Sequence, residues 1–229
     1  MQLTKSLKIT IILLFIIFKI SEISAQGISF SYLIPKNGYL SAPISPFSIR
    51  GIGIGRTVGV ETGFTLYSIP GLTMSGLPFK SEKPLSGPNW SVLVPGQLTL
   101  SAGFGSLGIK LLGGGFVIWN VSSRINKGNL DRAIAAFENW DVVTSNIDMD
   151  MKLGYGWIGG AELEYKVSNK LSITGQVQYL KGFSDSAISG SYAGGTIGGT
   201  IETRQANFDQ AKTKLEGIEI SLGVKLNGK

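Results

Sequence analysis

The amino-acid sequence predicts an all-β fold, a closed antiparallel up-and-down transmembrane β-barrel of eight strands with short turns at one end and long loops at the other. Three observations predict it. Apolar and polar residues alternate with period two over successive segments, as side chains do on the two faces of a strand. The connections between those segments are short and long in strict alternation. The chain also holds 32 glycines and no cysteine, and after its first residues it has no apolar run near the ~20 that a membrane-spanning helix needs. That composition suits bent strands and tight turns, and it leaves a barrel as the way to cross a membrane.

The chain opens on what reads as a targeting signal. Lys5 and Lys8 give it a positive start, ITIILLFIIF over residues 9–18 an apolar core, and Ile23-Ser24-Ala25 a small-residue cleavage site before Gln26. The expected organisation is a cleaved signal peptide, residues 1–25, and a barrel domain, residues 26–229. Losing Lys5, Lys8, Lys19 and Glu22 lowers the formal charge from +6 to +4. What remains is scattered without a basic run, so nucleic acid is not an expected partner. Without cysteine there are no disulfides, and burial and hydrogen bonding must hold the domain together.

The strands follow in order. Residues 27–34 place Ile28, Phe30, Tyr32 and Ile34 in phase. Residues 49–55 are a weaker candidate, in which Gly51, Gly53 and Gly55 give a glycine face rather than a nucleotide-binding loop, since the third glycine of that motif and its helix are missing. Residues 57–67 set Val58, Val60, Phe64 and Leu66 against Gly59, Glu61, Gly63 and Thr65. Residues 97–104 set Leu98, Leu100, Ala102 and Phe104 against Gln97, Thr99, Ser101 and Gly103. Residues 107–119 oppose Leu107, Ile109, Leu111, Val117 and Trp119 to Lys110. Residues 149–167 read as one long strand, with Met149, Met151, Leu153, Tyr155, Trp157, Leu163, Tyr165 and Val167 on its oily face. Residues 171–180 (LSITGQVQYL) alternate most clearly, and residues 217–226 close the set with Ile218, Ile220, Leu222, Val224 and Leu226 opposite Glu219 and Lys225.

Turns fall at residues 56–57, 105–106 and 168–170, and long segments at 35–48, 68–96, 120–148 and 181–213. This is the pattern of periplasmic turns and extracellular loops. On these residues the chain resembles the small outer-membrane barrels of the OmpA/OmpX-like class of Gram-negative bacteria. The resemblance covers the whole mature sequence as a pattern and rests on no catalytic or binding motif. It implies location in the outer membrane, with Trp119 and Tyr179 at the outer rim and Phe104 and Tyr165 at the inner one. One departure is the C-terminus, Leu226-Asn227-Gly228-Lys229, where such barrels finish on an aromatic.

The charges on the polar face are Glu61, Lys110, Lys152, Glu162, Glu164, Lys166, Glu219 and Lys225. Eight strands enclose a lumen that side chains fill, so this balanced set is expected to pair internally rather than to build a catalytic carboxylate pair. Asn146, Asp148 and Asp150 alternate at the outer end of a strand and are the one candidate for a metal ion, although a polar rim explains them as well and calcium takes more oxygens. Residues 129–140 (NLDRAIAAFENW) form the one helix-like segment, with Asn129 as its N-cap and Leu130, Ile134 and Phe137 on one face. That face either packs on the barrel mouth or docks a partner protein. Residues 184–200 extend a hairpin above the membrane or stay mobile, and Tyr192 and Ile197 offer an edge for strand addition.

The leading functional reading is a non-enzymatic outer-membrane barrel whose loops mediate surface or partner-protein contacts, with membrane lipid around it and no cofactor. The alternative is a transporter for a small hydrophobic molecule, supported by the apolar lumen residues Leu112, Phe116 and Ile118. The chain has no histidine, which argues against hydrolysis by a Ser or Asp paired with one. A soluble lipid-binding barrel is the structural alternative, with its oily face turned inward.

Overall fold

A computed structural model describes residues 27–226; residues 1–26, where the signal peptide is expected, and residues 227–229 lie outside it, as do the side chains of residues 42–46. In chain order the elements are β1 (Gly27–Pro35), β2 (Gly38–Tyr39), β3 (Ala42–Ile54), β4 (Val58–Ile69), β5 (Gly71–Leu72), β6 (Met74–Ser75), β7 (Asn89–Phe104), β8 (Leu107–Asn120), α1 (Lys127–Glu138), β9 (Val142–Met151), β10 (Gly154–Lys166), β11 (Leu171–Gly195), β12 (Glu202–Phe208) and β13 (Lys212–Leu226).

Eight of these strands close a ring in the order β1-β3-β4-β7-β8-β10-β11-β13, each antiparallel to its neighbours, and the pairing of β13 with β1 from Gly27↔Lys225 to Pro35↔Gly217 seals it. The ring leaves no open edge, as a barrel in lipid requires. Its side chains alternate as the sequence predicts, and the oily face points out. Ile28, Val58, Leu98, Leu111, Leu163, Val177 and Leu222 are all exposed on the outer surface. Gln97, Lys110, Glu162, Gln176, Gln178 and Glu219 are buried within. A soluble barrel would reverse this polarity, so the soluble alternative falls. Phe104, Leu107 and Tyr165 ring the end with the short turns; Trp90, Trp119, Tyr155, Trp157 and Tyr179 ring the other. Belt and rims together place the barrel in the outer membrane.

Three boundaries differ from the sequence reading. The segment 149–167 is two strands, because the backbone breaks at Lys152-Leu153 and the inward phase changes from odd to even residues across the break. Only β10 belongs to the ring; β9 turns away and pairs with the upper half of β11 from Met151↔Ser186 to Val142↔Gly195. The segment 184–200 is for most of its length a regular continuation of β11 and not a mobile loop, flanked by β9 on one side and β12 on the other. The strands also begin earlier than predicted, β3 at Ala42 and β7 at Asn89.

The sheet β9-β11-β12 rises above the membrane and carries α1 on its face. Leu130, Ala133 and Ile134 of the helix bury against Ile147, Ile188, Tyr192 and Ala206, with Phe79 and Leu85 of the β6–β7 loop closing the cluster. The helix is capped by Asn126, whose side chain accepts from the Asn129 backbone N–H at 3.3 Å, and it ends at Asn139 in the left-handed conformation. Asn129 is therefore not the cap. It lies in the first turn and donates from Nδ2 to the Pro84 carbonyl at 2.7 Å, which ties the β6–β7 loop to the helix.

Candidate functional site: the lumen and the outer subdomain

Two stacked layers fill the lumen. Toward the periplasm the inward residues are charged. Lys225 Nζ reaches Glu164 Oε2 at 2.9 Å, and Ser172 Oγ donates to Glu164 Oε1 at 2.8 Å. Lys110 Nζ donates to Glu61 at 2.6 Å and sits 3.3 Å from Glu162 Oε1. Arg50 Nη2 meets Glu219 Oε1 at 2.5 Å, while its other nitrogens donate to Ser48 at 2.7 Å and Gln178 at 3.2 Å. In this low-dielectric interior each charge has a partner, which buried ions require. These contacts tie strands together around the ring, since Arg50 on β3 reaches past β1 to Glu219 on β13 and Gln178 on β11, and Lys110 on β8 reaches past β7 to Glu61 on β4 and to Glu162 on the adjoining β10.

Six of the eight predicted lumen charges meet in these pairs: Glu61, Lys110, Glu162, Glu164, Glu219 and Lys225. The other two stand apart. Lys166 is exposed at the periplasmic end of β10, and Lys152 is exposed at the break between β9 and β10, outside the barrel. Arg50 was missed, because period-two reading puts it on the same face as Ile52 and Ile54. The register slips by one residue between Ile49↔Phe64 and Ile52↔Thr62, and Gly51 at φ 72° takes up the extra residue. This β-bulge turns Arg50 inward. The sequence signal for it was the lone arginine before Gly-Ile-Gly.

Above the charges the lumen is apolar. Leu33, Tyr67, Leu93, Phe116, Ile118, Ile158 and Leu180 pack together across it, each nearly or fully buried, with Ile69, Leu72 and Leu215. Glycine makes the room. A methyl group on Gly156 or on Gly182 would come within 2.7 Å of Phe116 Cζ, and one on Gly154 within 2.7 Å of an Ile118 methyl. Phe116 thus lies on the bare backbone of β10 and β11. Leu112 is buried as well, lower on β8.

In the outer subdomain Leu130 and Ile134 are buried in its core, so this part of the predicted docking face is internal; Phe137 stays half exposed with its ring 5.9 Å from Phe79. Tyr192 is buried too, donating to Glu138 Oε1 at 2.6 Å and stacking near Trp140 at 6.0 Å. Burial first, then the hydrogen bond and charge of Glu138, raise its phenol above the ordinary value. Arg204 pairs with the same carboxylate at 2.5 Å and lies 5.1 Å over the Trp140 ring. Asn146, Asp148 and Asp150 are exposed along the outer face of β9, and among the described residues no group of three or more His, Cys, Asp or Glu is arranged to hold a metal ion. The large apolar side chains at the tip are free. Ile197 is 86% and Ile201 78% exposed, beside exposed Val142.

No protein-family model and no curated protein matches this sequence. Solved structures do. The outer membrane protein OprG from Pseudomonas aeruginosa superposes with a TM-score of 0.52 at 9% identity, over 90% of this chain and 96% of that one. The attachment invasion locus protein Ail of Yersinia pestis matches at a TM-score of 0.36, 10% identity, and 90% and 97% coverage. A major outer membrane protein from Thermus thermophilus matches at 0.41, 12%, and 90% and 99%. The likeness to OprG shows the fold, a small outer-membrane β-barrel.

Proposed function

We propose that this protein is a closed, non-enzymatic membrane anchor that presents its outer subdomain to a protein partner at the cell surface. The observation that carries the reading is the tip of that subdomain. Ile197 and Ile201 are the most exposed large apolar side chains among the described residues, and they sit in the turn between β11 and β12, strands held by a packed core and by the Glu138–Arg204–Tyr192 contacts. Exposed apolar groups on a rigid support are what protein contacts use. The Ile197 backbone is itself fixed, since its N–H donates to Asp141 Oδ2 at 2.8 Å.

A photo-crosslinking residue placed at 197 in living cells should give a discrete protein adduct, and one placed at Lys166 should not. Lack of any adduct at 197 and 201 removes the proposal. The transport reading keeps one support, the apolar upper lumen around Phe116 and Ile118 with Leu112 below. For a small hydrophobic molecule to pass, Phe116 would have to leave the glycine bed that holds it. Reconstituted protein should therefore leave liposomes unswollen and planar bilayers silent; uptake of a hydrophobic solute that rises on Phe116→Ala and is measurable in the wild type would favour transport instead.

A further inference from the structure

The outer wall carries a second feature, at the level where lipid headgroups begin. On β13 the outward residues from the periplasmic end are Leu226, Val224, Leu222, Ile220 and Ile218, and then Glu216, Lys214 and Lys212; on β11 they are Ile173, Val177 and Tyr179, and then Lys181 and Phe183. The change from oily to charged comes at one level on both strands, because Lys181 pairs with Glu216 in the ladder. Ladder neighbours Tyr155, Phe183 and Lys214 form one row there, and Trp157, Lys181 and Glu216 the next. Together they line a groove of about 520 Å³ on the outer surface.

We infer that this groove binds a phosphate-bearing lipid of the outer leaflet, with an acyl chain against Tyr155, Trp157 and Phe183 and the phosphate among Lys181, Lys212 and Lys214. Tyr155 and Phe183, both lining the groove, sit 4.9 Å apart, and Trp157 of its lining sits 5.3 Å from Tyr179 beside it. The carboxylate at the groove is already engaged. Glu216 Oε1 accepts from Tyr179 at 2.7 Å and from Lys36 at 3.0 Å. Lys212 lies 3.5 Å from Asp185 and 4.7 Å over the Phe183 ring. Lys181 and Lys214 form no close ion pair among the described residues, and Glu216, the anion beside Lys181 in the ladder, is held by Tyr179 and Lys36, so both ammonium groups are left to face the headgroup region. Basic side chains above an apolar floor match the amphipathic order of an anionic lipid, and a protein partner would not require the switch to fall at the membrane boundary.

The test uses the folded barrel in detergent micelles, titrated with diphosphorylated lipid A and read by native mass spectrometry. Each lysine near an anionic lipid surface contributes roughly fivefold in affinity. Replacing Lys181, Lys212 and Lys214 by Gln together should thus weaken retention on the order of 100-fold by the same reasoning, whereas the triple Arg variant should retain the lipid. Gln at Lys80, Lys83 and Lys127, elsewhere on the outer side, should change nothing. Heat-dependent gel mobility confirms that each variant is folded. Should the triple Gln variant fail to fold, Lys181→Gln alone should still cost about fivefold. Undiminished lipid retention by the Gln variants overturns the inference. So does equal retention of dephosphorylated lipid A, which would make the groove merely greasy, or full competition by millimolar inorganic phosphate, which would make it a site for the free anion.

Discussion

The lower and upper halves of β11 are one continuous strand with opposite manners. In the membrane its inward residues Ser172, Gln176 and Gln178 are polar and buried, while Ile173, Val177 and Tyr179 face out. Beyond Ser186 the same alternation buries Ile188 and Tyr192 and leaves Ser189 exposed. Both halves are paired on two sides by antiparallel neighbours. What changes is the medium: lipid takes the oily side chains of the barrel, whereas water drives those of the outer subdomain onto α1. The barrel is therefore held by its hydrogen-bonded ring, by ion pairs across the lower lumen and by the apolar layer above them, and the subdomain by an apolar core packed under α1.

That contrast predicts which variants break which half. The largest effect is expected at Arg50. Arg50→Ala leaves Glu219 buried without its cation, a loss of roughly 3–5 kcal/mol, and urea titration of the barrel in lipid vesicles should show it as a lowered midpoint for the whole ring. Removing the subdomain core should act elsewhere. Leu130→Ala or Ile134→Ala costs about 2–5 kcal/mol locally, so protease should cut the outer loops while the heat-dependent gel shift of the barrel persists. If either core variant lowered the barrel midpoint as much as Arg50→Ala, the two halves would be one cooperative unit.

How much of this was legible follows from the same physics. The ring and its inside-out polarity could be read because lipid-facing strands alternate strictly, as residues 171–180 and 217–226 do. Where a local backbone device interrupts the period, reading fails. The bulge at Gly51 hid Arg50, and the break at Lys152-Leu153 joined two strands that belong to different sheets. Pro95 and Gly96 looked like the end of a loop, yet β7 runs through them, with Thr62 Oγ1 donating to the Pro95 carbonyl at 2.6 Å. Above the membrane, glycine and serine in 184–200 resembled a flexible loop because the strands that complete that sheet, β9 and β12, come from distant parts of the chain. The apolar stripe of the helix was legible, but what it packs on was not, since that depends on non-local pairing.

A charge on the lipid face should separate the halves again, with a somewhat smaller effect. Leu222→Arg, mid-belt on β13, is expected to cost roughly 2–4 kcal/mol of barrel stability in lipid. Arginine at Ser189, which has the same outward sense on the water-surrounded half of β11, should cost almost nothing in the same vesicle assay. Comparable losses at both sites would mean that β11 does not leave the membrane where its buried face turns from polar to apolar.

The smallest expected effect concerns Tyr192. Its phenol is raised in the folded subdomain, by burial and then by Glu138, so the folded state holds the proton more tightly than the unfolded chain does. The stability this confers is complete below the ordinary tyrosine range and falls as pH rises through the ordinary value toward the raised one. Trp140, 6.0 Å from the Tyr192 ring, reports on the same contact. Alkaline titration should change Trp140 emission before the barrel loosens, and Tyr192→Phe should remove the part of that change which belongs to the phenol, at a cost near neutral pH of about 1.5–3 kcal/mol for a hydrogen bond to a charged group. An identical alkaline transition in the Phe variant would assign the titration to groups other than Tyr192, and the subdomain would then owe its hold on Glu138 to Arg204 alone.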